Sequence, residues 1–557
     1  MASLTKKLIG GRPYYYLREC RRVNGKPKIV WQEYIGTPQE LVLRLTRPEP
    51  QEAVIREFGA VAAAFDMAGH LEIVTTIDRH LPKRGTQGPT VGQYLLVATI
   101  NRCVAPVSKS QIGDWYEKTV LPRLMGLKAS QLSSQRFWDT MERVGEQAIH
   151  SIEREIAATA VARFGLDLHC LVFDATNFFT FIDTFNDRSA LAQRGHSKEG
   201  RDNLRLLGLA LLVTTDGEIP LLHHTYAGNQ HDATTFASVA EELEKRCRTL
   251  SQGVKEITLV FDKGNNSKEN LEKVGQGPYH FVGSLVPTQH PELLSVSRQR
   301  LRRLDAALLP EVWSFRTRKT LFGVERTVLV TCNRPLYAAQ CKTLLREIGK
   351  RREKLSNLEA SLARHGIKGK KPTLEGVRNR IQALLAGRHM KDLFTVTLEK
   401  GPRLRWSFNQ DHWTHLQRTL LGKTLLFTDR DDWSDEQIVL AYRSQFHVEC
   451  AFRRMKDPRL VAFRPTHHWT DQKLRVHAFY CVLALTILSL MRRQLAKAGI
   501  PLSISRMIER LDDIREVVTL YAAPQGEPPR TKTVLSKRDA EQAAILDALH
   551  LSPYYPK

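Results

Sequence analysis

The pattern Leu-Val-Phe-Asp occurs twice, as Leu171-Val172-Phe173-Asp174 and as Leu259-Val260-Phe261-Asp262. Each copy predicts a buried β-strand that runs directly into an aspartate. A carboxylate at the end of a buried strand is costly without a partner, and ligands bind at strand ends in open α/β sheets. One such aspartate alone more often caps the following turn or helix. Two in the same context favour a shared site.

Neighbouring apolar runs predict that both strands belong to one mixed sheet. Residues 206–215 and 219–226 are expected to be strands joined by a turn at Asp216-Gly217. Residues 233–250 predict a helix that precedes the strand ending at Phe261. Three strands, a helix and a further strand are typical of a mixed α/β fold.

A helix predicted over residues 442–456 carries a third carboxylate, Glu449. Because seven helical residues complete almost two turns, Tyr442, Glu449 and Lys456 are expected to stack along one face. Gln445 and Arg453 lie near the same face. A solvated charged stripe is the alternative interpretation of such a helix.

Three carboxylates from separate segments suit the chemistry of phosphodiesters. Two divalent ions about 4 Å apart activate an attacking oxygen and stabilise the leaving one. Mg²⁺ prefers oxygen ligands, and one bridging aspartate plus one further carboxylate for each ion is sufficient. Asp174, Asp262 and Glu449 are therefore the candidate metal ligands and catalytic residues.

The charge of the chain points to a polyanionic partner. The 557 residues include 83 Lys and Arg against 59 Asp and Glu, a net charge of +24. Neutralising phosphates releases counterions, so a nucleic acid is expected; a solvated surface or a ribosome-associated protein is the alternative. The cysteines lack zinc-knuckle spacing and predict reduced thiols in a cytoplasm. The apolar stretch 478–491 is shorter than the roughly 20 residues that span a bilayer, so we expect a buried helix and no membrane partner.

The predicted fold class is α/β, with a mixed-sheet domain that is interrupted by an insertion and preceded by a helical region. The predicted segments are an N-terminal β-hairpin unit (1–40), a helical, DNA-binding region (41–165), the first part of the sheet domain (166–300), an insertion with strands and a helical hairpin (301–430), a C-terminal helical part of the sheet domain (431–510) and a C-terminal tail (511–557). Asn24-Gly25 predicts the turn of the N-terminal hairpin. For this hairpin and for the helical region, DNA contact and a purely structural role remain open.

Within the insertion, Ile348, Leu355 and Leu362 form an apolar stripe with a seven-residue period. After a break at residues 366–372, Val377 and Ile381 continue a second helix, which predicts a basic helical hairpin. Strands are expected at residues 313–317, 326–331, 393–398, 404–408 and 424–427. The tail from about residue 523 is polar and Pro-rich, and we expect it to be partly disordered.

These motifs together resemble the DDE transposases of bacterial insertion sequences, in the branch with a β-rich insertion before the final glutamate. In that family the first aspartate follows the first strand of an RNase H-like fold, which Asp174 matches. The second precedes a basic residue and a glycine, as in Asp262-Lys263-Gly264. Further matching segments are Gly195-His196-Ser197-Lys198, Gly228-Asn229 with Asp232, and residues 465–468.

The family's last signature is Tyr, two residues, Arg, three residues, Glu, six residues and Lys. Tyr442, Glu449 and Lys456 match it, whereas Gln445 occupies the arginine position. The family's arginine contacts a DNA phosphate near the cut end, and Arg443 or Arg453 is the candidate substitute here.

The resemblance implies a transposase that cleaves DNA at the ends of an insertion sequence and transfers the freed 3′-hydroxyl strand into target DNA. It implies two Mg²⁺ or Mn²⁺ ions held by the three carboxylates, with DNA contacts at Tyr442, Gln445, Arg453 and Lys456. It also implies a homodimer on paired transposon ends, in the cytoplasm at the nucleoid. The alternatives are a catalytically inactive transposase-derived DNA-binding protein, such as a repressor, and a nuclease that hydrolyses without joining strands.

Overall fold

A computed structural model describes residues 2–23, 26–45, 50–83, 85, 88–183, 185–197, 200–201, 203–230, 256–266, 268, 271, 279–305, 307–364, 372–399, 403–464, 466–521 and 530–556. The Asn24-Gly25 turn and the helix predicted over residues 233–250 lie outside the described residues. The chain divides into two compact units. The smaller comprises Met1–Asp66, Gly113–Ser130 and Gln494–Lys557, and the larger comprises Met67–Ile112 and Gln131–Arg493.

The described strands follow in chain order. They are β1 (Ala2–Ile9), β2 (Arg12–Val23), β3 (Lys26–Gly36), β4 (Pro50–Glu57), β5 (Cys170–Thr180), β6 (Gln193–Arg194), β7 (Arg205–Thr214), β8 (Pro220–Ala227), β9 (Ile257–Phe261), β10 (Tyr279–Ser284), β11 (Arg302–Arg303), β12 (Val312–Leu321), β13 (Val324–Asn333), β14 (Phe394–Glu399), β15 (Arg403–Phe408), β16 (Lys423–Thr428), β17 (Arg515–Tyr521) and β18 (Arg530–Leu535).

The described α-helices are α1 (Pro38–Leu45), α2 (Gly59–His70), α3 (Ile73–His80), α4 (Val91–Val104), α5 (Ile112–Glu117), α6 (Leu121–Met125), α7 (Ser134–Glu142), α8 (Glu146–Phe164), α9 (Pro291–Leu294), α10 (Arg334–Arg364), α11 (Leu374–Leu384), α12 (Met390–Leu393), α13 (Gln410–Thr419), α14 (Asp435–Arg443), α15 (Phe446–Lys456), α16 (Asp471–Lys497), α17 (Ile504–Asp512) and α18 (Ala540–Ala548).

The larger unit is built on a ten-stranded mixed sheet. Its strand order is β11-β12-β13-β16-β10-β9-β5-β7-β6, with β8 also paired to β7. The strands β5, β9 and β10 run parallel, whereas β5 with β7 and β7 with β8 are antiparallel. Almost every residue of β7 is buried, as expected for a central strand that is covered on both faces.

Two helices cover the part of the sheet that carries the candidate carboxylates. Helix α14 packs on β9, β10 and β16, and α15 packs on β5 and β7. Helix α16 has 27 residues, well beyond the predicted apolar stretch, and is long and apolar enough to cross a membrane by length and composition. In this structure 94% of its most apolar window is buried inside the protein, as in the core helix of a packed domain.

The insertion predicted at residues 301–430 is only partly separate from the sheet. Strands β11, β12, β13 and β16 extend the central sheet, because β13 pairs along β16 and β16 pairs with β10. Strands β14 and β15 form a two-stranded sheet of their own, which packs against α10. The predicted helical hairpin corresponds to α10 and α11, which contact each other.

The stretch that the periodicity predicts as one helix over residues 442–456 is broken. Ser444 and Gln445 separate α14 from α15, so Tyr442 and Glu449 lie on different helices. Both linking residues keep right-handed backbone angles, so the chain bends there without reversing.

The smaller unit contains two antiparallel sheets, β1-β2-β3 and β18-β17-β4. In the first, Val23 lies opposite Lys26, a register that leaves a two-residue connection. In the second, β17 holds the fully buried Glu516, which pairs with Arg56 at 3.6 Å and Arg123 at 2.6 Å. Within the tail, β18 and α18 are ordered elements, whereas residues 523–529, where the predicted partial disorder begins, lie outside the described residues.

Candidate active site

The pairing of β5 with β9 brings Asp174 and Asp262 to neighbouring positions. In this parallel pair Leu171 lies opposite Leu259 and Val172 opposite Val260. Asp174 and Asp262 occupy equivalent positions on these neighbouring strands, each two residues beyond the last registered pair. Both side chains are half-buried. The repeated sequence pattern therefore corresponds to a spatial pair.

Asp174 does not end its strand, and the prediction was wrong on this point. Strand β5 continues to Thr180 because it pairs along its whole length with β7, where Asp174 lies opposite Leu211. What ends nearby is the pairing with β9, whose last registered pair is Val172 with Val260. Asp174 thus lies where the sheet opens between β5 and β9. Its Oδ1 accepts a hydrogen bond of 2.8 Å from the Ala175 N–H.

Asp262 directly follows β9, as predicted, and its side chain does not act as a cap. It occupies the N-cap position of the 3-10 turn Lys263–Asn265, but its carboxylate accepts no capping hydrogen bond. Instead, Ser284 Oγ donates to Asp262 Oδ1 at 3.2 Å. Ser284 is the last residue of β10, one position beyond the pairing of Gly283 with Phe261. The alternative interpretation of Asp262 as a helix cap is therefore not supported.

Tyr442, at the end of α14, links Asp262 with Glu449. Its hydroxyl lies beside Ser284, and the charges of Asp262 and Glu449 both act on it. Burial raises the pKa of Tyr442 to about 12, and the two carboxylates act in the same direction. The hydroxyl therefore stays protonated at neutral pH and remains able to donate a hydrogen bond.

Lys456 identifies the face of β5 that α15 covers. Its Nζ donates to Thr176 Oγ1 at 3.2 Å and lies 5.4 Å from the centre of the Phe178 ring. Thr176 and Phe178 are two and four residues beyond Asp174, so all three share one face of the strand.

Glu449 precedes Lys456 by seven residues on α15, a rise of about 10 Å along the helix. Its side chain is exposed. The charges of Glu449 and of Asp262 both act on Tyr442, so both carboxylates lie near that side chain.

The other predicted DNA-contacting residues differ in accessibility. Arg453 is exposed, and in the described part of the chain no hydrogen bond or ion pair holds it. Gln445 is only 9% exposed, because it lies in the bend between α14 and α15 rather than on an open helix face. Arg443 is half-buried, and burial lowers its pKa without a carboxylate to offset it. Of the two candidate substitutes for the missing arginine, Arg453 offers the more open guanidinium.

An ion-pair network anchors α15 to the turn between β7 and β8. Glu218, in a left-handed backbone conformation at φ 59°, is almost fully buried. It pairs with Arg454, with Arg492 at 3.2 Å and with His447 at 3.2 Å. Burial acts to raise the pKa of Glu218, but the hydrogen bond from His447 and the two guanidinium groups outweigh it and lower the pKa. This carboxylate therefore holds the helix that carries Glu449.

Two glycines of the segments that resemble the family lie in close backbone contact. A Cβ on Gly195 would lie 2.3 Å from the Gly228 carbonyl oxygen, and one on Gly228 would lie 1.9 Å from that of Leu206. The contact brings the loop after β6 against β7, and Asn177 Nδ2 donates to the His196 carbonyl at 3.0 Å. Only glycine fits at these positions. Lys198, Asp232 and Pro465 lie outside the described residues.

The three carboxylates offer the hard oxygen donors that Mg²⁺ or Mn²⁺ takes. This donor set fits hard divalent ions and not a soft metal.

Sequence reasoning missed three residues of this region. Ser284 contacts Asp262, and Thr176 contacts Lys456. Glu218 forms an ion pair with Arg454 of α15. Ser284 had a usable signal, because it ends a third apolar run beside the two that end near aspartates. Glu218 had none, since its partners lie more than 200 positions away along the chain.

The chain matches the family described as "Transposase DDE domain" over residues 170–487, more than half of its length. A comparison with curated proteins gave no match. Among solved structures, the cryo-EM structure of a piggyBac transposase synaptic complex with hairpin DNA is similar at a TM-score of 0.36 and 10% sequence identity. That comparison covers 81% of this chain and 79% of the piggyBac chain. The family match spans every element that carries Asp174, Asp262 and Glu449, and the chain belongs to the Transposase DDE domain family.

Proposed function

We propose that this protein is an insertion-sequence transposase of bacterial type that cleaves DNA at the ends of its element and joins the freed 3′-hydroxyl ends to target DNA. The observation that carries the proposal is the juxtaposition of Asp174 and Asp262 by the β5–β9 register, with Tyr442 under the influence of both Asp262 and Glu449. Membership of the Transposase DDE domain family supports it.

An RNase H-like fold for the catalytic sheet is part of the proposal. The order β8-β7-β5-β9-β10, with the first three strands antiparallel and the last two parallel to β5, supports it. In this arrangement the first and fourth strands in sequence are neighbours, so the aspartates that follow their apolar runs meet. The chain between β10 and α14 then forms the insertion before the final glutamate.

Asp174, Asp262 and Glu449 are the proposed ligands of two Mg²⁺ or Mn²⁺ ions. Bound there, the ions would supply charge stabilisation to the phosphodiester and activation of the attacking hydroxyl or water. Ser284 orients the Asp262 carboxylate through its hydrogen bond. The Glu218 network fixes α15, and with it the approach of Glu449.

Tyr442, Gln445, Arg453 and Lys456 are the proposed DNA-binding residues beside the carboxylates. The protonated hydroxyl of Tyr442 can donate to a phosphate oxygen next to the reacting centre. Lys456 and the exposed Arg453 add positive charge on the helix that carries Glu449. The buried Gln445 would contribute through the bend that it forms between α14 and α15.

The partners and location are proposals of the same kind. DNA at the transposon ends and at the target suits the net charge of +24. Two ends must be held together for joining, which favours a homodimer on paired ends. A protein of this type works at the nucleoid, in the cytoplasm.

The test incubates the purified chain with labelled DNA taken from the borders of its reading frame, together with an unlabelled target plasmid. With Mg²⁺ we expect nicks at a defined position and labelled DNA covalently joined to the plasmid; with EDTA we expect neither. Cleavage without any joined product would identify a nuclease. Specific binding with no cleavage in Mg²⁺ or Mn²⁺ would contradict the proposal and favour a DNA-binding protein without catalysis.

A further inference from the structure

A second group of ligating side chains lies outside the candidate active site, where α12 meets α13. A ring nitrogen of His389, a ring nitrogen of His412 and a carboxylate oxygen of Asp392 all lie within 4.8 Å of one another. His412 Nε2 is 4.0 Å from Asp392 Oδ2, which is too long for a hydrogen bond. The three groups face one another without bonding to one another.

His412 Nε2 is buried and, among the described residues, has no hydrogen-bond partner. A buried polar nitrogen without a partner costs free energy, and such atoms call for a ligand or an ion that the protein chain itself does not supply. A cation between the two imidazoles and the carboxylate would satisfy this nitrogen and balance the Asp392 charge.

Packing fixes the two elements that carry these side chains. Met390 and Leu393 of α12, and Trp413 and Leu416 of α13, are buried, and the two helices contact each other. The Asn409 N–H donates to the Leu393 carbonyl at 2.9 Å, which ties the start of α13 to the end of α12. The backbones are thus set before any ion binds, as a preorganised site requires.

His389 adopts a conformation that few residues favour. It is the N-cap of α12 at φ 66°, in the left-handed region, and its side chain makes no capping hydrogen bond. Left-handed backbone at a residue other than glycine costs free energy and often accompanies a ligand site. Here it directs the imidazole toward the group that contains Asp392 and His412.

We propose that His389, Asp392 and His412 bind one divalent transition-metal ion, with Zn²⁺ preferred. Two imidazoles and one carboxylate are a donor set that Zn²⁺ takes with bonds of about 2.0–2.2 Å, leaving a fourth position for water. Ligand atoms around such an ion lie roughly 3.4 Å apart, so rotations of the side chains are enough to close the present group. The nitrogen donors disfavour Mg²⁺, which separates this site from the all-carboxylate active site.

The ion would clamp α12 to α13 beside the β14–β15 sheet, so its binding stabilises this part of the insertion. The test uses the full chain, stripped with EDTA and titrated with Zn²⁺ in an excess of Mg²⁺. We expect one tightly bound Zn²⁺ and a rise in the melting temperature. Co²⁺ should give the visible absorption of a four-coordinate nitrogen–oxygen site. Absence of Zn²⁺ binding in the presence of Mg²⁺ would overturn the proposal.

His412→Ala, His389→Ala and Asp392→Asn should each weaken Zn²⁺ binding at least about tenfold and abolish the Co²⁺ absorption. The matched control is His415→Ala, an exposed histidine on the same helix whose ring lies 6.2 Å from that of His412. It should bind Zn²⁺ as the unaltered chain does. To separate folding from binding, each variant is compared with the unaltered chain in EDTA, where the melting temperatures should agree. Equal loss in His415→Ala, or unchanged binding in His412→Ala, would contradict the assignment.

Discussion

The three carboxylates of the candidate active site differ in their surroundings. Asp174 and Asp262 are half-buried, and each accepts a hydrogen bond from a neighbour in the sheet, whereas Glu449 is exposed on α15. Substitution of Glu449 should therefore change stability least, although all three are expected to be equally necessary for chemistry. Measuring both activity and stability for substitutions of the three residues distinguishes a role in chemistry from a role in folding.

Asp174→Ala, Asp262→Ala and Glu449→Ala should each reduce Mg²⁺-dependent cleavage by about three orders of magnitude or more. Each removes a proposed metal ligand without a substitute, while the residues proposed to bind DNA remain. The measurement is cleavage and joining of labelled end DNA, with a gel-shift assay for binding. Glu353→Gln, an exposed carboxylate on α10, is the control and should retain activity. Substantial strand transfer by any of the three variants would count against the site.

Lys456→Ala should impair processing of DNA ends about tenfold or more while lowering stability by only about 1 kcal/mol. Its ammonium group donates to Thr176 Oγ1 and lies over the Phe178 ring. The comparison is cleavage rate against melting temperature, with Lys350→Ala on α10 as the control lysine. A large fall in melting temperature with normal cleavage would show that Lys456 is structural.

Elements were predictable from the sequence where periodicity is local. The apolar runs gave β7, β8 and β9 nearly at their observed bounds, and the start but not the end of β5, because central strands are apolar on both faces. Pairing between distant segments leaves no such signal. For that reason, the prediction did not place β12, β13 and β16 in the same sheet as β5. Strands β4 and β17 were missed because each is stabilised by the other across more than 450 positions.

The same limit applies to the candidate site. The spacing of Tyr442, Glu449 and Lys456 predicted one helix, and it could not reveal the bend at Ser444 and Gln445. The bend keeps Tyr442 close to Ser284 while α15 follows β5 toward Lys456. Tertiary packing on two different groups of strands, not local propensity, fixes this geometry.

Helix α15 as an element depends on Glu218. We expect Glu218→Gln to destabilise the larger unit by about 2–3 kcal/mol, because it leaves Arg454 and Arg492 partly buried without a counter-charge. Cleavage should fall as well, since Glu449 loses its support. Chemical denaturation and the cleavage assay measure the two effects. Glu155→Gln, which removes the more exposed pair with Arg79, is the control and should cost under about 1 kcal/mol. Equal losses in both variants would contradict the anchoring role.

At the scale of the whole molecule, the excess of basic groups extends to a buried cluster inside the larger unit. Lys109 Nζ donates to Tyr480 Oη at 2.9 Å and lies 3.4 Å from His468 Nε2, with Arg102 and His477 close by. In the described chain no carboxylate pairs with Lys109. Burial, and then the charge of Arg102, lowers the pKa of Lys109 to about 7. Burial also holds the pKa of His468 and of His477 well below the usual value.

These shifts predict a dependence of folding stability on pH. All three groups bind protons more weakly in the folded protein than in the unfolded chain, so the free energy of unfolding rises with pH wherever the unfolded chain alone is protonated. His468 and His477 raise the free energy of unfolding from acidic pH up to about 6.5. Lys109 raises it from about pH 7 upward. Each group contributes at most about 1.4 kcal/mol per pH unit. Above about 8.5 the thiols of unfolded Cys103 and Cys481 ionise and oppose the rise, since burial raises the pKa of both in the folded protein.

Lys109→Met removes a buried charge that destabilises the folded protein at pH 7 and below, so it should stabilise the protein most in that range. It should also flatten the rise in the free energy of unfolding between pH 7 and 8.5, where Lys109 of the unaltered chain loses its proton in the folded protein. Urea midpoints measured across this window give the comparison. The matched control is Lys473→Met, because Lys473 also lies over the Trp138 ring, at 5.0 Å, but is paired with Glu142 at 2.8 Å. Its removal should leave the slope unchanged. If Lys109→Met shows the same dependence of the free energy of unfolding on pH as the unaltered chain, Lys109 keeps its proton in the folded protein at these pH values. That result would contradict the lowered pKa.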